Sequence, residues 1–313
     1  MQPTRNERYS FTHFAINYLS PRTSEAFEER LKENGFLQRS FGQQVFFSFL
    51  LREFDYIKRS TPNLKGRSGY INTNFELAGA EILALNEIAN VVTGRQDVWR
   101  LGDGTEFSQY VKGEVDLRYI QQLGESQGFS ARMNLGIALP FGNTTDVPYV
   151  KQFFVGGANS MRAWAPRGLG PGGFQDPLAA DPANNFRLFQ TGDVKLELNA
   201  EYRFPIFLWF NGALFVDAGN IWTLKDDAER PDARFSLIGK DKRPFYKEMA
   251  VAGGFGLRVD LSYFIFRFDV GMKLRYNTPI LDIPNPVERD WWNDFKGINS
   301  RDFGFNFGLG MPF

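Results

Sequence analysis

Arg162 is the only charged residue in the run Phe153-Phe154-Val155-Gly156-Gly157-Ala158-Asn159-Ser160-Met161-Arg162-Ala163-Trp164, which leads to Gly168-Leu169-Gly170-Pro171. A guanidinium can bind a carboxylate through two parallel hydrogen bonds, which gives geometry as well as attraction. The run lies in a connection spanning 140–193, too long for a plain turn and not of low complexity. Loops of that length are usually functional or disordered. Paired glycines, a lone arginine among apolar neighbours and a Gly-Pro stop favour an ordered loop that folds back. The plainer alternative is a solvated arginine with no partner.

Little else could do chemistry. The chain has no Cys, hence no disulfide and no thiolate metal site. Its single His, His13, sits beside Phe14 at an early strand position and reads as a structural residue, not a ligand. No nucleophile–base set is visible, which disfavours a lipase or protease. Asp226-Asp227 reads as solvated charge. Gly102-Asp103-Gly104 is a turn without the strand–helix context of a phosphate loop. Trp291-Trp292, before Asp294, reads as interfacial anchoring or loop packing. Lys+Arg and Asp+Glu are equal at 36 each, so there is no electrostatic case for nucleic acid.

The elements that must position the loop are strands. From Val194 to Phe204, Val194, Leu196, Leu198, Ala200, Tyr202 and Phe204 share one face, while Lys195, Glu197, Asn199, Glu201 and Arg203 share the other. Similar alternation recurs around Val111–Tyr119, Phe129–Leu139, Val251–Leu261, Phe264–Leu274 and Phe303–Phe313, and more weakly at Tyr9–Tyr18, Gln44–Asp55, Gly69–Gly79 and Gly212–Ile221. A soluble sandwich or solenoid would need a second layer to cover these Phe-, Leu- and Val-rich faces, and little in the sequence supplies one. The pattern predicts an all-β chain: about ten strands of a transmembrane antiparallel β-barrel, most about 9–13 residues long. There is no run of eighteen apolar residues, so no membrane helix is expected. Long connections at about 20–42, 80–106, 140–193, 223–248 and 276–302 alternate with short ones, the habit of outer-membrane barrels. A short helix is expected over Ser24–Asn34, stopped by Gly35. By parity Glu201 points inward, opposite Tyr202 and Phe204. Asp217 shares a face with Ala213 and Gly219, opposite Leu214 and Val216, so it also points inward. No secretory signal precedes the first strand: either it has been removed or the chain is part of a longer one.

The loop resembles that of the BamA/TamA superfamily of outer-membrane assembly factors, which also includes two-partner secretion transporters. That family carries aromatic-x-x-Gly-Gly, then Val-Arg-Gly-aromatic, then Gly-Pro. Here Gly156 and Gly157 precede Met161-Arg162-Ala163-Trp164, and Gly170-Pro171 follows. Met replaces Val, and Ala replaces a Gly, which would tighten the backbone wherever positive φ is needed. Glu201-Tyr202-Arg203-Phe204-Pro205 resembles the family's Glu-aromatic-x-x-Pro, and Phe215-Val216-Asp217-Ala218-Gly219 its Phe-x-Asp-x-Gly. The last strand, with Phe305, Phe307 and Phe313, resembles the C-terminal signal read by the assembly machinery. The likeness is specific over about 150–313 and architectural over about 7–140.

The resemblance implies a lock in the barrel lumen, in which Arg162 meets Glu201 and Asp217. It implies that residues 1–313 form the C-terminal part of a sixteen-strand outer-membrane barrel with periplasmic POTRA repeats upstream, since two unpaired sheet edges in lipid are not tolerable. It implies insertion and folding of client outer-membrane β-barrel proteins, with no bond made or broken and no cofactor or metal. The implied partners are membrane lipid, client barrels and accessory lipoproteins or periplasmic subunits. Clients would pair with the seam strand Phe303–Phe313, whose glycines leave few side chains on its inner face. A two-partner-secretion pore and a passive porin or structural barrel are the alternatives.

Overall fold

The alternating segment 194–204 forms a strand, and its two faces have opposite fates. In a computed structural model that describes residues 6–102, 104–124, 127–176, 187–239, 242–261, 263–278, 292–293, 295 and 298–313, the charged face is buried and the apolar face is bare. Glu201 of this strand is only 1% exposed, and on the neighbouring strand Leu214 is 54% and Val216 50% exposed whereas Asp217 is fully buried. Water-soluble sheets show the reverse. A strand with lipid outside and polar groups inside shows this arrangement.

The described strands are β1 (Glu7–Thr12), β2 (Ala15–Leu19), β3 (Gln44–Ser48), β4 (Glu53–Arg59), β5 (Arg67–Ala78), β6 (Glu106–Phe107), β7 (Tyr110–Gln122), β8 (Gly128–Pro140), β9 (Val194–Phe207), β10 (Phe210–Trp222), β11 (Ala250–Asp260), β12 (Ile265–Arg275) and β13 (Phe303–Leu309). The helices are α1 (Glu25–Glu33), α2 (Gly35–Phe41) and α3 (Ala80–Thr93), besides short 3-10 turns. The main sheet has ten strands in the order β1-β4-β5-β7-β8-β9-β10-β11-β12-β13, and β2-β3-β6 form a small second sheet. No described helix is long and apolar enough to cross a membrane.

The chain divides into two compact units. The larger holds Arg59–Ile71, Asp116–Leu135 and Phe153–Phe313. In it β9 to β13 follow the long connection as antiparallel neighbours, with a tight turn at 208–209 between β9 and β10. Register puts Glu201 opposite Phe215 and Asn199 opposite Asp217, so these four share the buried face. Ala252, opposite Asp217 on β11, extends it.

The smaller unit holds Met1–Lys58, Asn72–Val115 and Gly136–Gln152, and here the sequence reading is corrected four times. Tyr9–Tyr18 is not one strand. It breaks after Thr12, whose carbonyl accepts from Arg52 N–H (2.7 Å), while His13 Nδ1 bonds the Leu50 carbonyl (2.8 Å). Gln44–Asp55 also breaks in two, because the Phe49 and Leu50 N–H groups turn to the Glu81 carboxylate (3.3 and 3.0 Å) instead of a neighbouring strand. Helix α1 matches the expected segment, but Gly35 begins α2 rather than ending the helical region. The Asn34 side chain accepts from Leu37 N–H (2.9 Å) and caps the new helix. The connection 80–106, read as loop, holds α3. Asp103, residues 177–186 of the long loop, Trp291 and Asp294 lie outside the described residues.

Candidate functional site

Segment 153–174 is held to the buried face of β9–β13 by an ionic cluster centred on Arg162. Two left-handed glycines start its fold. A Cβ on Gly156 (φ +108°) would strike the Ala165 carbonyl, and Gly170 (φ +80°) has Asn220 and Ile221 side-chain atoms at 2.6 Å from where its Cβ would be. Only glycine is at ease at such angles. Gly157 N–H donates to the Trp164 carbonyl (2.7 Å), closing the turn that presents residues 158–163. Pro171 accepts from Phe174 N–H (3.0 Å). Ser160 Oγ accepts from Gly156 N–H (2.9 Å) and donates to the Glu197 carboxylate of β9.

Arg162 is 1% exposed. Its Nε and Nη2 donate to the two Asp217 oxygens (2.9 and 2.8 Å), and its backbone N–H adds a third bond (3.1 Å). Nη1 reaches Glu201 Oε2 (2.5 Å). The guanidinium carbon lies 3.5 Å from the Phe215 ring centroid, so a cation–π contact adds to the fork. Asn199 Nδ2 bridges Asp217 (2.9 Å) and the Ser160 carbonyl (3.0 Å).

The cluster is wider than parity suggested. Arg258 of β11 joins Glu201 (3.1 Å) to Asp269 of β12 (2.6 Å). Arg267 pairs with Asp269 (3.2 Å) and donates to Asn159 Oδ1 (2.7 Å) and the Ala158 carbonyl (3.1 Å). Arg203 binds the other Glu201 oxygen (2.8 Å). On the flank, Arg132 of β8 links Asp116 (2.9 Å) to the Asn159 carbonyl (3.0 Å). Arg258, Arg267 and Asp269 stand on the polar faces of two alternating strands, so the parity argument that found Glu201 and Asp217 would also have found them.

Shape complements charge. The facing strands carry Gly219, Gly271 and Gly304 where the loop passes. A Cβ at Gly304 would lie 2.7 Å from Ala163 Cα, one at Gly271 3.0 Å from Ala163 N, and one at Gly219 3.2 Å from Met161 Sδ. Met161, Ala163 and Trp164 are all buried. Ala163 does not have positive φ, so alanine imposes no strain where the motif has glycine. The inner face of β13 is therefore not vacant, as its glycines suggested. Loop backbone covers Gly304, Arg267 covers Gly308, and Asn306 Nδ2 donates to the Arg162 carbonyl (2.7 Å).

The aromatic residues of the last strand part company. Phe305 and Phe307 are exposed on the apolar face. Phe313, expected beside them, is buried: Gly310 (φ +80°) turns the chain past the end of β13. Its ring centroid lies 5.9 Å from Arg162 Cζ, and its carbonyl accepts from Arg203 Nη2 (3.3 Å).

The smaller unit has a separate buried cluster that the sequence reading missed. Arg52 and Tyr110 Oη (2.8 Å) both bond Glu76, and Lys151, on the first stretch of the long connection, reaches the same Glu76 oxygen (2.6 Å). Among the described residues no group of acidic or His side chains is arranged to hold a metal.

A bare apolar sheet face, a buried polar face and a loop fixed to that face define a membrane β-barrel protein with a loop docked on the polar face of its sheet. The sequence matches the Omp85 superfamily domain over residues 63–313, and the chain belongs to that superfamily. The match begins well upstream of residue 150, so the family relationship reaches further than the motifs alone. No curated protein matches the chain. Among solved structures it is similar to BamA from Haemophilus ducreyi lacking POTRA domains 1–3, at 15% identity and a TM-score of 0.48, covering 86% of this chain. The chain spans 43% of the length of that protein.

Proposed function

We propose that this chain is the C-terminal part of an outer-membrane β-barrel that folds and inserts client outer-membrane β-barrel proteins, without covalent chemistry. The observation that carries the reading is the Arg162 fork on Asp217 and Glu201 in an Omp85-superfamily chain. A passive channel has no need of a loop fixed by a buried ion cluster. In this reading the cluster sets the loop inside the lumen and keeps β9–β13 in one shape. β13, with Phe305 and Phe307 outward, is the strand beside which client strands add by β-augmentation. Upstream strands and periplasmic repeats belong to the rest of the protein, and accessory lipoproteins or periplasmic subunits act with it.

The test is reconstitution of the full-length protein in lipid vesicles with an unfolded outer-membrane β-barrel client. Folding of the client is followed by its heat-modifiable mobility on gels. Faster folding than in empty vesicles, lost in Arg162→Ala, supports the reading. Passage of a secreted partner protein into the vesicles without client folding would move the protein to the translocation branch of the superfamily. Ion conductance alone would leave a porin.

A further inference from the structure

Helix α3 has its faces reversed for a helix in water. Ile88, Val91 and Val92 are 61%, 82% and 79% exposed, and Ala84 and Leu85 share their side of the helix. The opposite side carries Asn86 and Asn90, one turn apart, and both bond the returning chain. Asn86 Oδ1 accepts from Trp99 N–H (3.2 Å), and Asn90 exchanges two bonds with Asp97 (3.1 and 3.2 Å). Glu81 is buried on the Phe49 and Leu50 N–H groups. Glu81, Asn86 and Asn90 thus spend their polar groups on the protein, while Leu85, Ile88, Val91 and Val92 stay outside, with Glu87 exposed at the edge of the stripe. The same unit shows this inversion at the end of β8, where Ile137 and Leu139 are exposed.

The position of α3 points the same way. β5 ends at Ala78 and α3 begins at Ala80. Between them Gly79 (φ +72°) is pressed on the Ser108 carbonyl, 2.5 Å from where its Cβ would be. The helix therefore leaves at the level of the strand end with no spacer, which in a membrane-spanning strand is the bilayer boundary. Trp99, half-exposed beside it, is of the type enriched at that boundary.

We infer that α3 is an interfacial helix whose Leu85, Ile88, Val91 and Val92 side chains insert among the acyl chains of the adjacent lipid leaflet. The inference rests on the strands being membrane-spanning. It goes beyond the assembly reading in placing a loop element in lipid.

The chain contains no cysteine, so single-cysteine labelling is clean. Ile88→Cys, Val92→Cys, Leu214→Cys and Leu64→Cys variants of the full-length protein are spin-labelled in phosphatidylcholine–phosphatidylglycerol vesicles. Collision with oxygen is compared with collision with an aqueous nickel chelate. Leu214 is the reference for lipid, and Leu64, fully exposed in the β4–β5 turn, the reference for water. The Ile88 and Val92 labels are expected to match Leu214, with an oxygen-to-nickel ratio several-fold above that of Leu64. Ratios equal to Leu64, with Leu214 still in lipid, would overturn the inference and leave the barrel standing. Labels shielded from both colliders would overturn it in favour of a protein cover. A water-exposed Leu214 label would remove the membrane reading itself.

Discussion

Asp217 receives three hydrogen bonds from Arg162 alone, two from the guanidinium and one from the backbone N–H. With Asn199 on Oδ1, all four acceptor sites of the carboxylate are used. The side chain thus fixes both the arginine rotamer and the local backbone of the loop, which a simple ion pair would not do.

Replacing Asp217 by Asn should therefore be nearly as damaging as removing it. The amide nitrogen would face donors whichever way it turned. Breaking one partner of a buried pair costs about 3–5 kcal/mol. Protease cleavage within 153–174 should rise sharply in Asp217→Asn and in Arg162→Lys, which lacks the planar fork. A double variant, Arg162→Ala with Asp217→Ala, should lose less than the sum of the two singles. Strict additivity would show that the two residues act independently.

The glycine lining predicts a purely steric way to displace the loop. Gly304→Val would drive Cβ into the backbone of Arg162 and Ala163 without touching any charge. Overpacking of this kind costs about 1–3 kcal/mol. Gly113→Ala serves as the control, since its Cβ would meet nothing within 4 Å. A crosslink between cysteines placed in the loop and on β10 should form more slowly in Gly304→Val and at the normal rate in Gly113→Ala. An unchanged rate in both would mean that the lining is dispensable.

In the smaller unit the two cations around Glu76 are not equivalent. The Arg52 side chain is 4% exposed, whereas that of Lys151 is 29% exposed. Glu76→Ala strands a buried guanidinium and should cost about 3–5 kcal/mol. Lys151→Ala removes a partly solvated partner and should cost about 1 kcal/mol or less. Thermal unfolding in detergent would rank the two. Equal losses would show that Lys151, not Arg52, carries the charge compensation.

Strand residues were the legible part of this chain. A period of two survives any tertiary context once one face meets lipid, and that alone points Glu201 and Asp217 inward. The breaks at His13 and at Phe49–Leu50 are not legible, because the first depends on Leu50 and Arg52 and the second on Glu81, each more than thirty positions away in sequence. Helix α3 was hidden for a different reason. The face opposite Leu85, Ile88 and Val92 carries Asn86 and Asn90 rather than charges, so the contrast that marks a helix in water is weak. Phe313 kept the alternation on paper, but Gly310 permits a turn that carries it inward.

Glu248 makes the loop after β10 sensitive to pH. Burial, reinforced by the neighbouring Asp232 charge, pushes its carboxyl up to about 7 from 4.5, against the opposing pull of the Trp222 indole N–H and of Arg243 and Lys242. The Trp222 bond is 2.7 Å. The folded state thus favours the protonated acid more than the unfolded state does. The stabilisation is complete below about pH 4.5 and is lost as pH rises through about 7, a swing on the order of 3 kcal/mol at most. Hydrogen exchange in 223–248 should quicken between pH 5.5 and pH 8 beyond the intrinsic change (roughly the window set by that shift). Glu248→Gln keeps an acceptor for Trp222 and cannot ionise, so its exchange should follow the intrinsic pH dependence alone. If native and Gln forms kept the same pH slope, some other group would have to be titrating there.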